Sequence, residues 1–193
     1  MSEYGNIDGL QERDFEALLS TLDMTTMPLI HYELHYPKED FLRFIVHHME
    51  ALLHGSGKDV DVLLPRQAND DAKTFGNRLA VYAVDDPVLA IFYAIQDRGC
   101  IHGPVISGRT VDEFLGDYSY NFAMLEEVAA RDPWSNGFVY IVSRDGFEQG
   151  RQDSGKLADE WCSCTPVRPI AKLSVAPTDF RFLGHIQTLD GRS

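Results

Sequence analysis

Apolar positions follow two different periods along the chain. From Gly9 to Asp23, Leu10, Phe15, Leu18, Leu19 and Leu22 recur at helical spacing, which predicts an amphipathic helix closed by the break Thr25-Thr26-Met27-Pro28. A second helix is predicted after Pro37. Lys38, Glu39 and Asp40 crowd its first turn, and Phe41, Phe44, Ile45 and His48 share a face. Between the two helices, "LIHYELHYP" alternates in the manner of a strand. Beyond the second helix, "EALLH", "DVLLP", "NRLAVYAV", "GFVYIVS", "DEWCSCT" and "IAKLSV" are short apolar or alternating runs separated by Gly, Pro, Asp and Asn, the pattern of strands joined by turns. One helix interrupts them in "DDPVLAIFYAIQDR" (Asp85 to Arg98), where an Asp precedes Pro87 at a helix start and Val88, Ile91, Phe92 and Ile95 form a stripe.

Helices first and then mixed strands with an inserted helix define an α+β class, not a regular alternation around a parallel sheet. The longest irregular stretches expected are Pro65 to Asn77 and Gly99 to Arg109, rich in Gly, Asp, Asn and Arg, and loops of this length often cover a ligand. A chain of 193 residues, 44% hydrophobic, can bury a core of single-domain size. No run is long and apolar enough to cross a bilayer, and the first residues are acidic and polar, unlike a signal peptide. A soluble, cytoplasmic protein with no membrane partner is expected. The three cysteines are an odd number, and Cys162 and Cys164 lie too close in sequence for an ordinary bridge, so reduced thiols are expected. The net charge of -13 repels phosphate backbones and argues against a dedicated nucleic-acid surface, while leaving room for a local basic pocket.

The histidines His31, His35, His47 and His48 match no metal-ligand frame, and metal binding is not expected. Ser56 has only the trailing glycine of a nucleophile elbow, and Gly55 and Gly57 lack the spacing of a phosphate loop. Alone, His54-Gly55-Ser56-Gly57 reads as a Gly-rich turn. It also supplies a strand end where backbone can approach a flat ligand, with polar side chains on either side.

Later segments add to this. Tyr82 lies in a strand-like run, Tyr93 follows eleven residues on in the inserted helix, and Glu160 opens a late strand in "KLADEWCSC". A strand ending in His-Gly-Ser, an aromatic strand leading to a second tyrosine, and a late strand with a glutamate together resemble the His-Tyr-Glu signature of the ADP-ribosyltransferase superfamily, in its diphtheria-toxin and poly(ADP-ribose) polymerase branch. The resemblance spans about residues 52–175. It implies a fold of split mixed and antiparallel sheets with flanking helices over residues 50–193, preceded by an N-terminal helical extension, 1–49, packed on the core.

The resemblance implies NAD as co-substrate. His54 would bond the adenosine-side ribose, the Gly55 backbone and Ser56 would hold the nicotinamide carboxamide, and Tyr82 and Tyr93 would sandwich the ring. Two tyrosine faces on a partly cationic ring contribute on the order of 1 kcal/mol each beyond area burial. Glu160 would stabilise the oxocarbenium-like cation as nicotinamide leaves, with Glu148 and Glu126 as alternative glutamates. The loop from Pro65 to Asn77 would drape over the dinucleotide, with Arg66, Lys73 or Arg78 neutralising its pyrophosphate. Ala83-Val84-Asp85-Asp86 departs from the serine-bearing neighbourhood of active polymerases, so mono-transfer or NAD hydrolysis is expected in place of chain elongation. The acceptor, whether protein, nucleic acid or small molecule, is not identified, and a bacterial effector, toxin or phage-related modifier fits. The alternatives are a non-catalytic NAD or ADP-ribose-binding module and an acidic interaction protein with no ligand.

Overall fold

Capping side chains set where two of the helices begin. The Asp8 carboxylate accepts from the Leu10 and Gln11 N–H groups, both at 2.9 Å, and starts helix α1 (Gly9–Ser20). The helix ends three residues short of the expected Asp23. Asp86 caps α3 (Pro87–Ala94) in the same way, accepting from Val88 and Leu89 with proline in the first turn. This helix is shorter than the Asp85 to Arg98 span expected from its stripe. Between them, α2 (Lys38–His48) buries Phe41, Leu42, Phe44, Ile45 and Val46. His48, expected on that face, is exposed and stacks on Phe44 with ring centroids 5.0 Å apart.

The computed structural model describes residues 7–67, 78–111, 118–151 and 157–190. It is an α+β fold with a mixed, largely antiparallel sheet flanked by helices and an N-terminal helix. The strands are β1 (Leu29–Ile30), β2 (Ala51–Ser56), β3 (Arg66–Gln67), β4 (Leu79–Val84), β5 (Val105–Val111), β6 (Tyr118–Leu125), β7 (Gly137–Ser143), β8 (Glu148–Arg151), β9 (Leu157–Ser163), β10 (Ala171–Val175) and β11 (Gln187–Leu189). The main sheet runs β1-β10-β7-β2-β4-β9-β8, with β3 also paired to β4, and a second sheet runs β11-β6-β5. A short helix, α4 (Glu126–Ala129), follows β6. No helix among the described residues is long and apolar enough to cross a membrane.

Two expectations about strands are corrected. "DVLLP" forms only an isolated bridge, Leu63 to Val167, because Leu64 is exposed and the run has no alternation to bury. "LIHYELHYP" contributes only Leu29 and Ile30 to the sheet. The stretch from Gly99 to Arg109, expected to be irregular, enters β5 at Val105 and pairs along β6 from Val105↔Met124 to Val111↔Tyr118.

The core follows from the alternation. One face of the main sheet carries Ala51, Leu53, Val84, Val139, Ile141 and Leu173 against all three long helices, so Phe15 of α1 and Phe41 of α2 share one cluster with Phe92 of α3. The other face gathers Leu52, Val81, Ala83, Tyr140 and Val142 in a smaller cluster.

Two glycines let α3 lie directly on the sheet. A Cβ at Gly137 would fall on the Ala94 carbonyl oxygen, 2.9 Å from the Ser56 carbonyl oxygen, and one at Gly55 would sit 2.6 Å from the Ala94 nitrogen. Both obstacles are backbone, which cannot rotate away. Gly137→Ala is therefore expected to lower stability by roughly 1–3 kcal/mol in urea unfolding. Gly9→Ala, where a Cβ meets nothing within 4 Å, should stay within about 0.5 kcal/mol of wild type. Equal effects would show that the helix can lift off the sheet at no cost.

Candidate functional site

The parting of two neighbouring strands makes the site. β2 and β4 pair at Leu53↔Val84, and among the described residues their ladder stops there, while β2 continues along β7 to Ser56↔Phe138. The imidazole of His54 spans the opening, its Nδ1 lying 2.6 Å from the Tyr82 carbonyl oxygen. A carbonyl can only accept, so Nδ1 carries the proton, and a side chain does the work of a missing ladder rung. The neutral ring then presents Nε2 as an acceptor. Burial holds the His54 pKa below its ordinary value; the bond to Tyr82 opposes the shift, and the charges of Arg66 and Arg98 reinforce it.

Register decides which side chains meet. Directly opposed residues of an antiparallel pair share a face, so Tyr82 and Val84 stand on the same side as their partners Cys162 and Glu160. Leu53 lies opposite Val84, which puts Gly55 on that side as well. Helix α3 covers this face and brings Tyr93, whose Cβ is 2.9 Å from where a Gly55 Cβ would lie. Gly55, Tyr82, Tyr93 and Glu160, all half-buried, are thus gathered on one side of the sheet. His54, one residue along, belongs to the other face beside Tyr140 and joins the group through the Tyr82 backbone. Burial raises the pKa of both tyrosines, and the charge of Glu160 adds to the rise at each.

The tyrosine hydroxyls are fixed. Tyr82 accepts from the Arg78 N–H at 2.9 Å, and the Tyr93 and Ser107 hydroxyls are hydrogen-bonded at 2.9 Å. The Ser56 hydroxyl accepts from the Lys58 N–H at 3.2 Å and closes the turn after β2. Arg78 is paired with Glu148 at 3.0 Å, Arg66 is exposed on β3 opposite Ala80, and Lys73 lies outside the described residues. Of the alternative glutamates, Glu148 stands on β8 opposite Cys162, exposed and bound to Arg78. Glu126 opens α4 at the end of β6, in the other sheet.

Sequence reasoning missed Arg109, which fixes the strand of Glu160. Its Nε donates to Asp159 at 2.8 Å, and its terminal nitrogens donate to Asp85 and Asp86, both at 2.9 Å. Burial alone would depress the Arg109 pKa, but the three carboxylates override it and raise the value. Ser107, two residues before Arg109 on β5, holds Tyr93. One strand of the second sheet therefore touches both the helix with Tyr93 and the residue next to Glu160. Its partners lie 23 to 50 positions away, so no local pattern announces them. Among the described residues no group of three or more His, Cys, Asp and Glu is placed to hold a metal ion.

Two measurements check this geometry. Unfolded His54 takes up a proton near pH 6.5 that the folded ring resists, so its contribution is neutral above that pH and destabilising below it. Urea unfolding between about pH 7.5 and 5.5 should show stability falling, with a shallower fall in His54→Gln; parallel slopes would mean that the folded ring titrates freely. Arg109→Ala strands three carboxylates, one of them fully buried, and should cost about 3–5 kcal/mol. A loss under about 1 kcal/mol would show that the network adds little.

No family model, no curated protein and no solved structure matches this chain.

Proposed function

We propose that the chain is a mono-ADP-ribosyltransferase, or an NAD glycohydrolase where water is the acceptor, acting on NAD at the opening between β2 and β4. The observation that carries the reading is the parting of these strands at His54-Gly55-Ser56, with Tyr82, Tyr93 and Glu160 brought to the Gly55 side. The strand edge supports it further, since Gly55 lies beyond the last pair of β2 with β4 among the described residues, on the stretch where a carboxamide would be held. The ADP-ribosyltransferase type of fold is part of the same proposal, as is the assignment of residues 50–193 to it.

In this reading, the nicotinamide ring lies against the tyrosine faces with its carboxamide on Gly55 and Ser56. The bond between the nicotinamide nitrogen and the ribose breaks, and its electron pair leaves on nicotinamide. Positive charge grows on the ribose, where the Glu160 carboxylate stabilises it more than it stabilises the ground state. The acceptor then forms a new bond at the same ribose carbon and releases its proton to water. His54 Nε2 accepts from a ribose hydroxyl. Asp85 and Asp86 are taken up by Arg109, which gives a structural role to the residues that depart from the polymerase pattern.

The test is nicotinamide release from NAD by the purified protein, beside Glu160→Gln and His54→Ala. Glu160→Gln should lower kcat about 10²- to 10³-fold with little change in KM. His54→Ala should act mainly on KM. Thermal stabilisation by NAD or ADP-ribose with no release, with or without candidate acceptors, would instead identify a binding module. The absence of both release and stabilisation would end the reading.

A further inference from the structure

At one end of the main sheet, β2 begins where β4 and β7 finish, as the pairs Leu53↔Val84 and Ala51↔Ser143 require. Beyond those strand ends lies a cavity of about 120 Å³. Its lining includes Arg43 and His47 of α2, Asp85 after β4, Arg109 and Tyr118 of the β5–β6 hairpin, and Arg144 after β7. Ala51 precedes His54 by three residues, about 10 Å of strand, so this cavity and the opening at Gly55-Ser56 lie towards opposite ends of β2.

On a chain with 30 acidic against 17 basic residues, a lining with Arg43, Arg109 and Arg144 against the single carboxylate of Asp85 inverts the prevailing charge. Two of these arginines are already bound. Arg43 donates to Glu39 at 2.7 Å, and Arg109 donates to Asp85, Asp86 and Asp159. Arg144 differs. Among the described residues it has no ion-pair partner, and neither Glu50, which precedes Ala51, nor the adjacent Asp145 is bound to it.

The Arg144 guanidinium lies over the Trp161 ring, 4.9 Å from its centroid, and its Nε is buried with no acceptor among the described residues. Stacking occupies the face of the guanidinium, whereas its N–H groups lie in the plane and stay directed at whatever borders it. A charged donor left without an acceptor is destabilising, and an anion in the cavity supplies the missing charge. A guanidinium carries five N–H groups, more than Arg43 or Arg109 spends on its ion pairs, so both have donors left for the same anion.

We propose that this cavity binds inorganic phosphate, with Arg144 as the principal donor and Arg43 and Arg109 assisting. Its volume is far below the roughly 300–1,000 Å³ of pockets for drug-sized ligands, which suits a small oxyanion and excludes a nucleoside. Asp85 selects among oxyanions. Arg109 binds its Oδ1, and the carboxylate keeps capacity to accept a further proton donor. Inorganic phosphate near pH 7 still carries a proton to donate. Sulfate has none, and a phosphomonoester, with a second pKa of about 6, has largely lost its own. The site needs neither His54 nor Glu160 and stands apart from the NAD reading.

The experiment is calorimetric titration of the full chain at about pH 7.5 with inorganic phosphate, sulfate and phosphoserine, using wild type, Arg144→Ala, Arg144→Lys and, as control, the exposed Arg13→Ala. Phosphate should bind wild type and Arg13→Ala alike, and about tenfold or more tightly than sulfate or phosphoserine. Arg144→Ala should weaken phosphate binding about 10- to 100-fold. Arg144→Lys keeps a cation over Trp161 but lacks the planar fork, so a partial loss in that variant, with its melting temperature unchanged, separates loss of the ligand from loss of the fold. Failure of wild type to bind phosphate overturns the site, as does binding indifferent to Arg144 or equally weakened in Arg13→Ala. Sulfate or phosphoserine bound as tightly as phosphate overturns the choice of inorganic phosphate.

Discussion

Asp86 is a carboxylate with no solvent exposure, and the arrangement of helix and sheets turns on how its two oxygens are satisfied. One oxygen accepts from the first two N–H groups of α3, and the other from Arg109 of β5 and the hydroxyl of Tyr120 of β6. Taking such a charge out of water costs several kcal/mol unless every lone pair finds a donor. Because those donors come from three elements, the helix cannot be capped without fixing the second sheet beside it. A helix cap thereby becomes a three-way junction between α3, the end of β4 and the β5–β6 hairpin.

The candidate site hangs from this junction. The glycines at 55 and 137 set the distance between α3 and the main sheet, the Asp86 network sets the helix start, and Ser107 holds Tyr93 at its far end. Glu160 belongs to β9, whose neighbouring residue Asp159 is tied to the same arginine. The tyrosine and the glutamate are therefore referred to a common support on β5, although they belong to a helix and to a strand of the other sheet. Placing functional groups on elements held from behind in this way gives more precise geometry than placing them on loops.

Much of this was legible in the sequence wherever burial on one side imposes a period. The helices around Phe15, Phe41 and Phe92 and the strands at Leu52, Val81, Ile141 and Leu173 are announced by their apolar positions, and Asp86 before Pro87 reads as a helix start. The β5–β6 hairpin was not legible, because Ser107 and Arg109 on β5 point into polar contacts and the strand lacks an apolar alternation. The strand β8, "EQGR", is an edge strand with only its glycine buried and has no hydrophobic signature at all. Within the site, the grouping of Gly55, Tyr82, Tyr93 and Glu160 could be anticipated only from their order along the chain. The role of Arg109 depends on partners distant in sequence, which local patterns do not encode.

The imidazole that stands in for a ladder rung has one further consequence. Protonating His54 leaves Nδ1 donating to the Tyr82 carbonyl as before, so the bridge across the opening keeps its donor and acceptor. Nε2, however, changes from acceptor to donor. Acidification would then reverse the polarity of this ring nitrogen while the bridge to Tyr82 is kept. The parting of β2 and β4 is in this sense spanned by a group whose chemistry, and not its bridging bond, answers to the proton.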